Sequence, residues 1–197
     1  MEQLARPKIY FIRHGETDWN VAGRMQGQQD IPLNATGRKQ SEQLSGKLLK
    51  LVEAPEKLDY IVSPMRRTRE TADILMHKAG LDPASYKVDP RLREITFGEW
   101  EGLTWKEVRA RDPELARIRD MDKWGTVSPG GESYAMLADR VRPLFEELKR
   151  DTVIVSHGGV ARATLAVLGY VAPHDAPIID IWQGRILQLT DSEYRWV

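Results

Sequence analysis

Residues 8–17 read Lys8-Ile9-Tyr10-Phe11-Ile12-Arg13-His14-Gly15-Glu16-Thr17. A short run of β-branched and aromatic residues stops abruptly at an arginine, a histidine and a glycine. An unbroken apolar run of this length suits a strand covered on both faces. The same grammar returns at Thr152-Val153-Ile154-Val155-Ser156-His157-Gly158-Gly159, and a third run, Asp59-Tyr60-Ile61-Val62, lies between the two. Helical patterns separate these runs. Within residues 35–53, Leu44, Leu48, Leu51 and Val52 form one stripe. Ser63-Pro64 reads as the cap and first turn of a second helix, with Ala72, Leu75 and Met76 on its apolar face. A third helix falls in residues 132–150 and a fourth at about 159–168. The tail reads as strand, turn, strand: 178–182, Gln183-Gly184, then 185–190.

Alternating strand and helix predicts an α/β fold, a three-layer sandwich with a mainly parallel central sheet and helices on both faces. Residues 90–131 break the alternation with Trp100, Trp105, Trp124 and many charged side chains. They are read as a small cap insertion (about 90–131) over the sheet, within a single domain spanning residues 1–197.

The composition narrows the function. Lys plus Arg and Asp plus Glu are both 29, so the formal charge is zero and the basic excess of a general nucleic-acid binder is missing. With no cysteine, disulfides, thiolate metal sites and cysteine nucleophiles are excluded. No apolar run has the length of a membrane span. The first residues, Met1 to Pro7, lack a basic start and a long apolar stretch. A soluble cytoplasmic protein is expected, with no membrane partner.

In open α/β sheets, ligands bind beyond the carboxyl ends of the strands. His14 and His157 both stand at such ends, each followed by a glycine that leaves its amide free to approach a ligand. Arg13 precedes His14, Asn20 follows closely, and the helix after the second strand opens with Arg66, Arg67 and Arg69. Guanidinium forks and a helix N-terminus both favour phosphoryl oxygens. An imidazole among them can accept a phosphoryl group covalently. His77 and His174 read as solvated side chains, Glu16 and Arg162 as structural support, and Trp100 as either packing or pocket wall.

Arg13-His14-Gly15-Glu16-Thr17 resembles the signature of the histidine phosphatase superfamily, phosphoglycerate mutase-like branch. The resemblance continues through Gly23-Arg24-Met25-Gln26-Gly27, Ser63-Pro64-Met65-Arg66-Arg67-Thr68, Leu92-Arg93-Glu94, Pro129-Gly130-Gly131-Glu132-Ser133 and Val155-Ser156-His157-Gly158-Gly159. It implies that His14 is the nucleophile and Glu94 the proton donor. It also implies that Arg13, Arg67 and His157 hold the phosphoryl oxygens with Asn20 and the Gly158 amide, and that Gln26 and Gly27 belong to a substrate loop. Thr68 stands where the family pattern has alanine.

The expected activity is hydrolysis of a small phosphorylated metabolite by a metal-independent phosphomonoesterase, through phosphohistidine, with inorganic phosphate as product and no cofactor. A cofactor-dependent phosphoglycerate mutase shares the first step, and a non-catalytic phosphate-binding module would share only the fold. The short stretch after Thr190 reads as a poor lid, which favours hydrolysis. Cap arginines Arg109, Arg111, Arg117 and Arg119 are candidates for a second anionic group of the substrate. The reading leaves room for a homodimer.

Overall fold

The computed structural model describes residues 6–197; the reading of a leaderless start rests mainly on residues 1–5, outside that range. The strands are β1 (Ile9–Arg13), β2 (Asp59–Val62), β3 (Lys87–Val88), β4 (Thr152–Ser156), β5 (Ile186–Leu189) and β6 (Tyr194–Trp196). They form one sheet in the order β3-β2-β4-β1-β5-β6. The first four in that order run parallel, and β5 and β6 are antiparallel additions at the β1 side. The α/β, mainly parallel expectation is met. The two-residue β3 escaped the sequence reading because its residues are exposed and show no apolar run.

The helices are α1 (Asp18–Val21), α2 (Ala35–Leu51), α3 (Arg66–Lys78), α4 (Trp105–Arg111), α5 (Pro113–Met121), α6 (Tyr134–Glu147) and α7 (Gly158–Val167). Side chains alternate across a strand, so each central strand feeds two cores. Ile9, Phe11, Ile61 and Ile154 meet Leu137, Val141 and Leu144 of α6 and Val160 and Leu165 of α7. Tyr10, Ile12, Val62, Val153 and Val155 meet Leu44 and Leu48 of α2 and Ala72, Leu75 and Met76 of α3. These are the outer layers of the sandwich. Burial on both faces is why β1, β2 and β4 read as unbroken apolar runs.

Residues 90–131 contribute no strand. They hold α4 and α5 over a small cluster of their own, Trp100, Val108 and Ala116, with Met25, Phe97 and Trp105 packed against it. Trp100 is fully buried and donates from Nε1 to Asp112 at 2.7 Å, so it is packing rather than pocket wall.

Two local expectations are corrected. Ser63 does not cap α3: the cap position is Met65, with no side-chain bond, and the Arg66 amide donates instead to Asp30 Oδ1 at 2.7 Å. A carboxylate from a distant loop occupies that helix end, so it is not open to a bound anion. Residues 178–182 are not a strand either. Ala176–Ile178 is a 3-10 turn, and the chain then runs as a loop, because β5 fills the edge of β1 and β6 the edge of β5. The antiparallel pair is therefore 186–189 with 194–196.

The start of α2 presses directly on the nucleophile loop. A Cβ on Gly15 would collide with the Gly37 carbonyl, and one on Gly37 with the Glu16 backbone. Around it, Asn34 donates from its backbone N and from Nδ2 to Glu16, and Glu16 N donates to Gln40 Oε1 at 2.9 Å. Gly46, on the same helix, is exposed with open space around it. Gly37→Ala should therefore destabilise the fold by about 2 kcal/mol or more, while Gly46→Ala should stabilise it by about 0.5–1 kcal/mol through helix propensity. Urea denaturation of both variants beside the parent checks the opposite signs.

Candidate active site

The parallel register pairs Arg13 of β1 with Ser156 of β4, and His14 N donates to Ser156 O at 2.9 Å. The next residues along the two strands are therefore neighbours, with the rings of His14 and His157 5.3 Å apart by centroid. Arg13, His14, Asn20, Gln26, Gly27, Arg67, Glu94 and Gly158 line one pocket of about 160 Å³, together with Arg24, Phe97, Tyr134 and Arg162. His157 lies buried beside it. All nine residues singled out in the sequence thus converge on one end of the sheet.

His14 is almost fully buried. Its Nδ1 lies 2.7 Å from Gly15 O, and a carbonyl only accepts, so Nδ1 carries the proton and Nε2 keeps a free lone pair. Burial, then the charges of Arg67 and Arg13, push the His14 pKa well below its ordinary value of 6.5. The neutral form is the nucleophilic form. His157 is pushed down likewise by burial, then Arg67, His14 and Arg13. Its Nε2 lies 2.8 Å from Ser63 Oγ. This is what Ser63 does in place of capping α3: when its hydroxyl donates, Nδ1 of His157 carries the proton and becomes a donor.

The arginines are held by loop carbonyls. Arg67, fully buried, donates from Nη1 to Gln29 O at 2.7 Å and from Nη2 to Gly27 O at 2.8 Å. Gly27 has a φ of 49°, and a Cβ there would collide with the Glu101 carboxylate. Its backbone serves the site by holding Arg67. Arg13 donates to Ile181 O and Arg162 to Ile179 O, both at 2.8 Å. The loop that the sequence read as a strand therefore spends its carbonyls on two site arginines. Burial lowers the Arg13 and Arg67 pKa values, and the Glu94 carboxylate opposes that shift.

Among the described residues, five buried side-chain polar atoms have no hydrogen-bond partner. Four belong to this site: Arg13 Nε, Arg67 Nε, His157 Nδ1 and Gln26 Oε1. Gln26 Oε1 is an acceptor and the other three are nitrogens; buried polar groups are nearly always satisfied, so three donors left unpaired around one imidazole mark a surface built for an anionic ligand. Glu94 closes the other side, accepting from Ile95 N at 2.9 Å and Gly159 N at 3.1 Å.

Sequence reasoning missed Gln183. It read as a hairpin turn, yet its Nε2 donates to His14 O and Asn20 Oδ1, both at 3.1 Å. The Thr17 amide also donates to Asn20 Oδ1 at 3.1 Å, so the Nδ2 donor of Asn20 is the end left for a ligand. No local signal points to Gln183, because its partners lie more than 160 positions away. Glu16 is turned to Asn34, as support. His77 and His174 are exposed.

The four cap arginines separate cleanly. Arg109 pairs with Asp120, Arg111 with Glu99 and Asp112, and Arg117 with Glu114. Arg119 makes no ion pair among the described residues. It is 8% exposed and lies 5.6 Å from the centre of the Phe97 ring and 5.9 Å from that of Trp105. Phe97 is itself a wall of the pocket.

The profile of the histidine phosphatase superfamily, branch 1, matches residues 9–197. The chain is similar to the glucosyl-3-phosphoglycerate phosphatase of Mycolicibacterium vanbaalenii, 38% identical over 177 residues that cover 82% of this chain and 74% of that protein. It is also similar to the metal-independent phosphoserine phosphatase of Arabidopsis thaliana, 35% identical over 166 residues, 79% of this chain and 66% of the other. A solved mycobacterial glucosyl-3-phosphoglycerate phosphatase in complex with VO3 superposes with a TM-score of 0.81 at 33% identity, covering 97% of this chain and 96% of that one.

The lowered histidine pKa values carry a stability consequence. Both imidazoles stay neutral in the folded protein where the unfolded chain would protonate them. Below about pH 6.5 the unfolded state binds more protons, so stability is full above that pH and falls as the pH drops. The slope is about 1.4 kcal/mol per pH unit for each imidazole. Urea unfolding between pH 7.5 and 5 should show this loss, and His14→Ala should remove one proton's share of the slope.

Proposed function

The chain belongs to the histidine phosphatase superfamily, branch 1, and is a phosphomonoesterase of that family; we propose that it hydrolyses small phosphorylated metabolites through a phosphohistidine on His14, without a metal ion. The observation that carries this reading is the neutral, buried His14 with a free Nε2, ringed by the unpaired donors of Arg13, Arg67 and His157.

Nε2 of His14 attacks phosphorus as the bond to the leaving oxygen breaks, and Glu94 gives that oxygen a proton. Charge spreads over the three remaining phosphoryl oxygens, where Arg13, Arg67, His157 Nδ1, Asn20 Nδ2 and the Gly158 amide stabilise it. Water then attacks phospho-His14 and returns a proton to Glu94. The N–P bond breaks, leaving inorganic phosphate and neutral His14. The fixed guanidiniums supply the positive charge that a metal ion supplies elsewhere. Among the described residues, no three histidine or carboxylate side chains gather as a ligand set.

Hydrolysis rather than transfer is the proposed reaction, and residues 194–196, paired to β5 as β6, are not themselves free to cover the pocket. A mutase must shield phospho-His14 from water while its intermediate turns. A pure binding module would need neither a nucleophile with a free lone pair nor a carboxylate beside the phosphate site. A cytoplasmic setting is consistent with this chemistry, and no helix among the described residues is long and apolar enough to cross a membrane.

We infer that the substrate is an ester with a second anionic group that reaches Arg119, whose guanidinium lies against the ring of the pocket-wall residue Phe97. The substrates named for the two relatives, glucosyl-3-phosphoglycerate and phosphoserine, each carry a carboxylate beside the phosphate.

Rapid acid-free quenching should trap alkali-stable, acid-labile phosphate on His14. His14→Ala should abolish both the trap and turnover, and EDTA should leave turnover intact. With 3-phosphoglycerate primed by 2,3-bisphosphoglycerate, free phosphate should exceed 2-phosphoglycerate; efficient 2-phosphoglycerate formation would reverse the assignment. Separately, Arg119→Met should raise KM about ten- to a hundredfold for carboxylate-bearing phosphate esters. Steady-state kinetics with p-nitrophenyl phosphate, which lacks the second group, should show little change.

A further inference from the structure

We propose that Arg140 is the positioning residue for the proton donor Glu94; this rests on the acid role given to Glu94 above. Glu94 sits on a loop that follows the 3-10 turn Pro90–Leu92 and has no regular secondary structure to hold it. Its backbone is held from outside. Arg140, on α6, donates from Nη1 to Arg91 O at 2.6 Å and to Arg93 O at 2.9 Å, and from Nη2 to Glu94 O at 3.4 Å. The same guanidinium grips Glu132 in a two-pronged pair, Nε to Oε1 at 2.9 Å and Nη2 to Oε2 at 2.8 Å.

Glu132 reaches the other side of the loop. Its amide donates to Thr96 O at 2.9 Å, and its Oε2 accepts from Thr96 N at 3.2 Å. One ion pair therefore brackets Glu94 before and after. Ser156 Oγ adds a bond to Leu92 O at 2.8 Å, tying the loop to the strand that carries His157. The side chains of Arg140 and Glu132 are only 22% and 16% exposed, so solvent screens the pair weakly. Neither lines the phosphate pocket. Only a planar fork serves three carbonyls and a carboxylate at once; a lysine keeps the charge and loses that geometry.

A carboxyl group displaced by about 1 Å loses most of its value as a proton donor. An ester with a poor leaving group needs that proton, and p-nitrophenyl phosphate hardly does. The test compares R140K, E94Q and R140K/E94Q on an alkyl phosphate and on p-nitrophenyl phosphate, with vanadate inhibition measured alongside. R140K should cut kcat/KM on the alkyl phosphate about ten- to a hundredfold, slow p-nitrophenyl phosphate far less, and leave vanadate inhibition unchanged. In the double variant R140K should add almost nothing to E94Q, because it acts only through Glu94. Equal loss on both esters while E94Q remains selective would make Arg140 a structural brace and overturn the proposal. An unselective E94Q would remove the acid role itself, and the proposal with it. If R140K fails to fold, E132Q, which keeps the side-chain shape and weakens the grip, should give the same selectivity at smaller amplitude; its absence counts against the proposal.

Discussion

The parallel pairing of β1 with β4 is the constraint on which the site depends. It aligns Arg13 with Ser156 and joins His14 N to Ser156 O, so that two histidines far apart in sequence end their strands in contact. A slip of one residue would turn one imidazole toward the opposite helical layer, because neighbouring side chains on a strand face opposite ways. The two apolar cores above and below the sheet hold the register. The core that stabilises the fold therefore also sets the spacing of the reactive groups.

Three arginines of the site keep their positive charge with no carboxylate paired directly to them among the described residues, whereas Arg24 at the pocket wall is paired with Glu107. Arg13, Arg67 and Arg162 are held by the carbonyls of Ile181, Gln29, Gly27 and Ile179. Carbonyls orient a guanidinium while leaving its net charge in place, whereas a salt bridge would neutralise it. The same charge, with burial, keeps His14 and His157 deprotonated. Cation placement and nucleophile activation are one electrostatic arrangement, and the unpaired Nε atoms of Arg13 and Arg67 are its open side. The cap follows a different rule: Arg109, Arg111 and Arg117 are neutralised by neighbours, and Arg119, against two aromatic rings, is not.

Family resemblance, not spacing, pointed to Glu94, Gln26 and Gly27; the sequence by itself determined the three central strands, the helical layers, the cap and the placing of His14 and His157 at two strand ends. Each of these is written in short-range pattern: an apolar run ending in His-Gly, a stripe at helical spacing, a break in alternation. Tertiary structure alone decided the rest. Ser63 looked like a helix cap and is a partner of His157; residues 178–182 looked like a strand and are a loop that binds arginines. Gln183 and Arg140 carried no local signal, because their partners come from segments 46 to 169 positions away or, for Glu132, from a separate turn before the helix. The proton positions on His14 and the isolation of Arg119 were equally invisible. Each depends on which carbonyl or carboxylate the folded chain brings within hydrogen-bond reach, and no periodicity along the sequence encodes that.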